Sequence, residues 1–209
     1  MSHVLEAITK HPFFNTTANI SLSLLYVYFL LRHSLAIKSG DISPIVIIFI
    51  TMETLAVLLL MNRTDPVKRS TSAIAWTAAF SGTFIPLLLS PYGTPVSSIA
   101  GDILMMAGGI LAIISYLSLN FSFGISPALR NVKTKGLYSL VRHPMYLSYF
   151  VLYTGYLGIS FSPFNAAIVM AMFALLGLRI HYEEKLLMTS DDYRTYAEKV
   201  RFRMLPYIF

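Results

Sequence analysis

Residues 99–119 read IAGDILMMAGGILAIISYLSL, an apolar stretch whose one charged side chain, Asp102, stands near its beginning. A transmembrane α-helix needs about 20 mainly apolar residues, and this stretch meets that requirement. The stretch therefore predicts a helix that crosses a membrane.

Five further apolar stretches predict an all-α integral membrane protein with about six transmembrane helices. The predicted spans are Ala18–Leu31 (or on to Ile37), Ser43–Met61, Ala73–Leu89, Ile99–Leu119, Pro144–Ile159 and Pro163–Ile180. Pro44, Pro144 and Pro163 fall near predicted helix starts, where the missing N–H does no harm. Pro86 lies late in the third span, where it is expected to kink or end the helix.

The composition agrees with a chain surrounded by lipid. Of the 209 residues 56% are hydrophobic and 12% charged, whereas soluble domains are about 25% charged. The absence of cysteine excludes disulfides, thiolate nucleophiles and cysteine-ligated metals. The five histidines have no metal-ligand spacing, and the net charge of +6 is not gathered on a soluble module. We therefore expect neither a metal nor a nucleic-acid partner.

The positions of lysine and arginine predict the orientation, because cytoplasmic loops carry an excess of both. With six spans, all of the 16 Lys and Arg residues except Arg32 and Lys38 fall on one side. This places both termini in the cytoplasm. It also places the loop Ser122–His143 and the tail Arg179–Phe209 on the same cytoplasmic face, on either side of a tight hairpin formed by the last two spans. We expect one integral membrane domain over 1–209.

The loop before the fifth span ends in KGLYSLVRHPMY, Lys135–Tyr146. Gly136 allows a positive φ or a close approach of a ligand. Because Pro144 starts a helix, its first N–H groups and the adjacent Arg142 and His143 suit a ligand carboxylate. The alternative is a cationic belt at the membrane surface with interfacial tyrosines.

The last span ends in RIHYEEK, Arg179–Lys185. Arg179 and Glu183 are four residues apart, so they share a helical face and can pair. Glu183 and Glu184 suit a ligand ammonium group, ribose hydroxyls or general-base chemistry. The alternative is a soluble helix end with an internal salt bridge.

Two further features have both structural and functional interpretations. Tyr193 and Tyr196 lie on one face of a tail helix, which is either an interfacial amphipathic helix or a lid over a site. Glu53 lies in the middle of the second span, where an ionisable group is costly and contact with substrate is one explanation. Gly108, Gly109 and the pair Gly155/Gly158 predict close helix packing.

In their order along the chain, these motifs resemble the isoprenylcysteine carboxyl methyltransferase family, whose signature phospholipid N-methyltransferases share. The matching residues are Gly136–Tyr138, Val141–Tyr146, Glu183–Leu187, Tyr193, Tyr196, Val200–Arg201 and Leu205–Pro206. The resemblance covers about Leu119–Phe209. It divides the single domain into N-terminal transmembrane helices, 1–120, and a methyltransferase signature region, 121–209.

The resemblance implies S-adenosylmethionine as cofactor, enclosed by the cytoplasmic loop and tail. The implied cofactor-binding residues are Lys135, Gly136, Leu137, Tyr138, Arg142, His143, Pro144, Tyr146, Glu183 and Glu184, the last two near the ammonium group and ribose. The implied catalytic residues are Arg179, which orients the acceptor, together with Glu183 and Tyr146.

The resemblance further implies a tunnel that admits a lipophilic small molecule or lipid from the bilayer. The expected reaction is methyl transfer to such an acceptor, with a carboxylate as the first expectation. The alternatives are phospholipid or amine N-methylation, an NADPH-dependent intramembrane reductase and a non-catalytic membrane subunit.

Overall fold

The computed structural model describes residues 44–89, 94–95, 98–125 and 127–205, with single positions between 20 and 31. The described chain is mostly helical. The first predicted span, Ala18–Leu31, lies almost wholly outside the described residues, as does the end of the tail, 206–209.

The elements of the described ranges alternate long helices with very short strands. The α-helices are α1 (Pro44–Met61), α2 (Ala73–Phe84), α3 (Ile99–Leu119), α4 (Pro144–Ile159), α5 (Pro163–Leu187) and α6 (Asp191–Lys199). The 3₁₀ turns are Ile85–Leu88, Asn120–Ser122 and Gly136–Ser139. The strands are β1 (Lys68–Arg69), β2 (Thr94–Pro95), β3 (Ala128–Leu129) and β4 (Ser160–Phe161).

Within the described residues, three helices are long and apolar enough to cross a membrane: α1, α3 with its following 3₁₀ turn, and α5. The apolar segment Ala73–Leu88 is shorter. These three helices agree with the prediction of an all-α membrane protein, while the predicted number of six spans is not confirmed.

Local sequence signals account for where the helices begin and end. Ser72, Ser98 and Ser162 each accept a hydrogen bond from a backbone N–H of the first helical turn, which satisfies an otherwise unpaired donor. Proline occupies the first turn of both α4 and α5. As predicted, Pro86 stands where α2 gives way to a 3₁₀ turn.

Glycines bring α3 and α4 into close antiparallel contact. A Cβ added at Gly108 would clash with the backbone of Leu152, and one added at Gly155 would lie 2.5 Å from Met105 N. The predicted close packing is therefore confirmed. The tight hairpin predicted for the last two spans is not confirmed, because α4 packs mainly on α3 whereas α5 packs mainly on α2.

Two short strand pairs gather the loops at opposite ends of the bundle. β1 pairs with β3, which joins the basic loop after α1 to the long loop after α3. β2 pairs with β4, which joins the two loops that contain no lysine or arginine. The basic loops thus share one end of the molecule, where the candidate site lies.

Candidate functional site

A pocket lies between the loop after α3, the start of α4, the end of α5 and helix α6. Five of the residues predicted to bind the cofactor line it: Tyr138, Arg142, His143, Tyr146 and Glu183. Lys135, Gly136, Leu137, Pro144, Glu184 and Arg179 do not line it. The two stretches that the sequence singled out therefore meet in space. Half of the residues predicted to bind the cofactor line the pocket, and the other half do not.

Gly136 shapes the loop by adopting a φ of +66°, in the left-handed region that L side chains rarely occupy. The following 3₁₀ turn, Gly136–Ser139, is closed by a hydrogen bond from Ser139 Oγ to Gly136 O. This turn places Tyr138 in the pocket wall. Burial raises the pKa of Tyr138, and the nearby Glu183 carboxylate raises it further, so the phenol stays neutral.

Glu184 is surrounded by hydrogen-bond donors from two other segments, the start of α4 and helix α6. Arg142 binds it with two parallel hydrogen bonds, from Nε to Oε1 and from Nη2 to Oε2, both 3.0 Å. His143 Nε2 and the hydroxyl of Tyr193 each lie 2.7 Å from Oε1. The Glu184 side chain is only 6% exposed. Its carboxylate therefore joins α4, α5 and α6 rather than facing the pocket.

Arg142 also holds the tail in place. Its Nη1 donates to the carbonyls of Val200 and Arg201, at 3.0 and 3.2 Å. Its backbone N–H donates to Phe202 O, as that of His143 does to Arg203 O. The tail thus lies across the start of α4. The Arg142 guanidinium, which the sequence suggested for a ligand carboxylate, is largely occupied by Glu184 and the tail carbonyls.

Helix α6 closes one side of the pocket with two tyrosines. The hydroxyl of Tyr196 donates to Tyr138 O at 2.6 Å, and that of Tyr193 donates to Glu184. Burial raises the pKa of both phenols, so both remain donors at neutral pH. Of the two interpretations of this helix, these contacts favour the lid.

Glu183 has a different environment from Glu184. Its Oε1 accepts hydrogen bonds from the hydroxyl of Tyr146 at 2.8 Å and from Arg179 Nε at 3.1 Å. The predicted pairing of Arg179 with Glu183 is therefore confirmed. No hydrogen bond from a described residue reaches Oε2, and the side chain is 17% exposed. Glu183 thus presents a carboxylate oxygen to the pocket.

Arg179 connects the end of α5 to α2 and to the loop after α3. Its Nη1 donates to Thr83 Oγ1 at 3.2 Å, and its Nη2 donates to Gly124 O and Ile125 O at 3.3 and 2.8 Å. Its guanidinium lies 5.2 Å from the centre of the Tyr146 ring. With five N–H donors in a guanidinium, these bonds and the one to Glu183 leave a single donor unassigned among the described residues.

Sequence reasoning missed Arg130, which also lines the pocket. Its Nε donates to Thr64 O at 3.1 Å, and it is only 7% exposed. In the sequence it is one of several basic residues in a basic loop, with no motif to distinguish it. Only its burial sets it apart from Lys133 and Lys135.

Comparison with known proteins shows which family this region resembles. Residues 103–189 match the model of the isoprenylcysteine carboxyl methyltransferase (ICMT) family. No curated protein matches the chain. The match covers α3 to α5 and the loop between them, and it confirms the family predicted from the sequence motifs over these residues.

Proposed function

We propose that this protein is a membrane methyltransferase that uses S-adenosylmethionine and methylates a lipophilic acceptor, with a carboxylate as the group methylated. The matched family is one of methyltransferases, and the matched residues form most of the pocket. The observation that carries the proposal is the meeting of the Tyr138–Tyr146 stretch with Glu183 around one pocket, in a chain that has three helices apolar enough for a membrane.

The donor groups of the pocket fit S-adenosylmethionine. Glu183 presents a carboxylate oxygen to which no described residue donates, and this oxygen suits the cofactor's ammonium group or ribose hydroxyls. Tyr138, His143 and Tyr146 supply aromatic surface on the same wall. When bound, the cofactor supplies a methyl group on a positively charged sulfur. No cysteine, metal or covalent intermediate is needed for its transfer.

The residues of the chain position the reactants and exclude water. The Arg179–Glu183–Tyr146 network fixes the Glu183 carboxylate through two hydrogen bonds to one oxygen, which leaves the other in a defined direction. Helix α6 closes one side of the pocket through Tyr193 and Tyr196, which helps to exclude water from a bound ligand. The one unassigned donor of Arg179 allows a single hydrogen bond to an acceptor carboxylate, not the two parallel bonds of a free guanidinium.

The basic end of the molecule is proposed to face the cytoplasm, with both termini and the cofactor site on that side. The support is the excess of lysine and arginine in the loops joined by β1 and β3. The apolar outer faces of the helices expose large side chains such as Ile103, Leu117 and Met170. These would contact membrane lipids, from which the acceptor would enter.

Amine N-methylation is the second candidate. It is favoured by Oε2 of Glu183, which accepts no hydrogen bond within the described part of the chain, since methyl transfer to an amine requires a group that accepts a proton. The NADPH-dependent reductase and the non-catalytic subunit gain no support from the family match.

The test is transfer of radiolabelled methyl from S-adenosylmethionine to membrane lipid extracts, with the product identified by mass spectrometry. We expect Glu183→Gln to lower the rate at least about tenfold, because it keeps the shape of the side chain and removes the charge. Glu198→Gln, at an exposed position of α6, is the matched control and should be unchanged. No labelled product with wild-type protein, or equal rates for the two variants, would contradict the proposal.

A further inference from the structure

Arg130 carries a buried donor without an acceptor. Nε is bound to Thr64 O, but Nη2 is buried and has no hydrogen-bond partner among the described residues. Burial of an unsatisfied charged donor is costly, so native structures rarely keep one without a ligand, water or ion. Since Arg130 lines the pocket, the missing acceptor is expected to be a ligand group.

The surroundings of Arg130 favour an anion. The guanidinium packs against Gly124, where an added Cβ would lie 2.9 Å from Nη1. Burial lowers the pKa of Arg130 to about 10, and repulsion from Arg63 and Arg69 contributes, while Glu183 and Asp65 act in the opposite direction. The group therefore stays charged at neutral pH, within a region of positive potential.

The other cations of the pocket wall are less available. Arg142 is bound to Glu184 and to tail carbonyls, and His143 is bound to Glu184. Lys133 also lines the pocket, but it is only partly buried. Arg130 is therefore the cation that combines deep burial with an unused donor in the described part of this wall.

Glu183 provides the opposite charge in the same pocket. Its Oε2 accepts no hydrogen bond from a described residue, and Glu183 lines the same pocket as Arg130. A cation and an anion with unused hydrogen-bonding groups on one pocket complement the two charged ends of an α-amino acid. S-adenosylmethionine carries such an end on its methionine part.

We propose that Arg130 binds the α-carboxylate of the methyl donor while Glu183 binds its α-ammonium group. The proposal rests on the proposed function and assigns Arg130 as a binding residue of the same site. It predicts that Arg130 recognises the amino-acid end of the ligand and not its adenosine end.

Two ligands that differ in the amino-acid end test the assignment. S-adenosylhomocysteine has this end, whereas 5′-methylthioadenosine lacks it. By calorimetry on purified protein in detergent, we expect Arg130→Gln to raise the Kd for S-adenosylhomocysteine at least about tenfold. The Kd for 5′-methylthioadenosine should stay within about twofold. Arg130→Lys, which keeps the charge, should show the same selective loss by a smaller factor.

Arg69→Gln is the matched control, because Arg69 is a neighbouring cation that does not line the pocket. Its affinities for both ligands should stay near the wild-type values. If the Arg130 variants bind both ligands equally more weakly, Arg130 has a structural role and the assignment is overturned. Unchanged affinities for both ligands would also overturn the assignment. If Arg130→Gln does not fold, Arg130→Lys decides between these outcomes. Wild-type protein that binds neither ligand would overturn the proposed function as well, whereas wild-type binding without selective loss overturns this inference alone.

Discussion

At the scale of single residues, the two adjacent glutamates at the end of α5 have separate roles. Consecutive helical residues point in directions about 100° apart, so Glu183 and Glu184 cannot face one ligand equally. Glu184 accepts hydrogen bonds from Arg142, His143 and Tyr193, while Glu183 keeps one oxygen free of described partners. Glu184 therefore holds Arg142, His143 and Tyr193 in place, and Glu183 is the residue that we propose binds the ligand.

Loss of the Glu184 charge should release the tail. Glu184→Gln leaves the buried Arg142 guanidinium without its counterion, which costs about 3–5 kcal/mol. Because the tail is then held less firmly, we expect tryptic cleavage at Arg194 and Lys199 to become at least about tenfold faster. Mass spectrometry of the fragments measures the rate at each site.

Asp191→Asn is the control for this change, since it removes an ion pair with Arg194 in which both side chains are mostly exposed. Exposed pairs contribute little, so cleavage should remain near the wild-type rate. Equal cleavage rates in the two variants would show that Glu184 does not hold the tail.

The sequence predicted residue roles where they depend on local spacing. The pairing of Arg179 with Glu183 follows from positions four apart on a helix, and the structure confirms it. The burial of Arg130, which distinguishes it from the other basic residues of its loop, could not be predicted, because it depends on contacts with Thr64 and Gly124. Motif spacing carries no information on such long-range contacts.

At the scale of elements, proline positions predicted the helix starts well. The start predicted for α4 at Pro144 and that for α5 at Pro163 are both observed. The end of α5 was predicted at Ile180, but the helix continues to Leu187. Hydropathy marks where the apolar part of a helix ends, whereas the polar extension depends on contacts with α6 and the tail.

The contact between α3 and α4 should be sensitive to one methyl group. Gly108→Ala places a Cβ against the backbone of Leu152, and overpacking of this kind costs about 1–3 kcal/mol. We expect the midpoint of thermal unfolding in detergent, followed by intrinsic fluorescence, to fall by at least about 2 °C.

Gly177→Ala is the matched control in α5, because nothing lies within 4 Å of its added Cβ. Alanine is the better helix former by about 0.5–1 kcal/mol, so this variant should unfold at the same or a higher temperature. A Gly108→Ala variant as stable as wild type would contradict the close packing of α3 and α4.

At the scale of the whole molecule, the fold brings every basic loop of the described chain to one end and builds the pocket there. The strand pair β1–β3 joins the loops after α1 and α3, and Arg142 joins α4 to α5 and the tail. The sequence predicted this common face from the distribution of lysine and arginine. Which helices pack side by side could not be read from hydropathy, since apolar helices resemble one another in composition.

The structure of the purified protein with S-adenosylhomocysteine tests the proposed methyl-donor site most directly. We expect the ligand between Tyr138, Tyr146 and the end of α5, with its amino group at Glu183 Oε2 and its carboxylate at Arg130. A saturated complex with the ligand bound elsewhere, or with its amino-acid end pointing away from both side chains, would contradict the account.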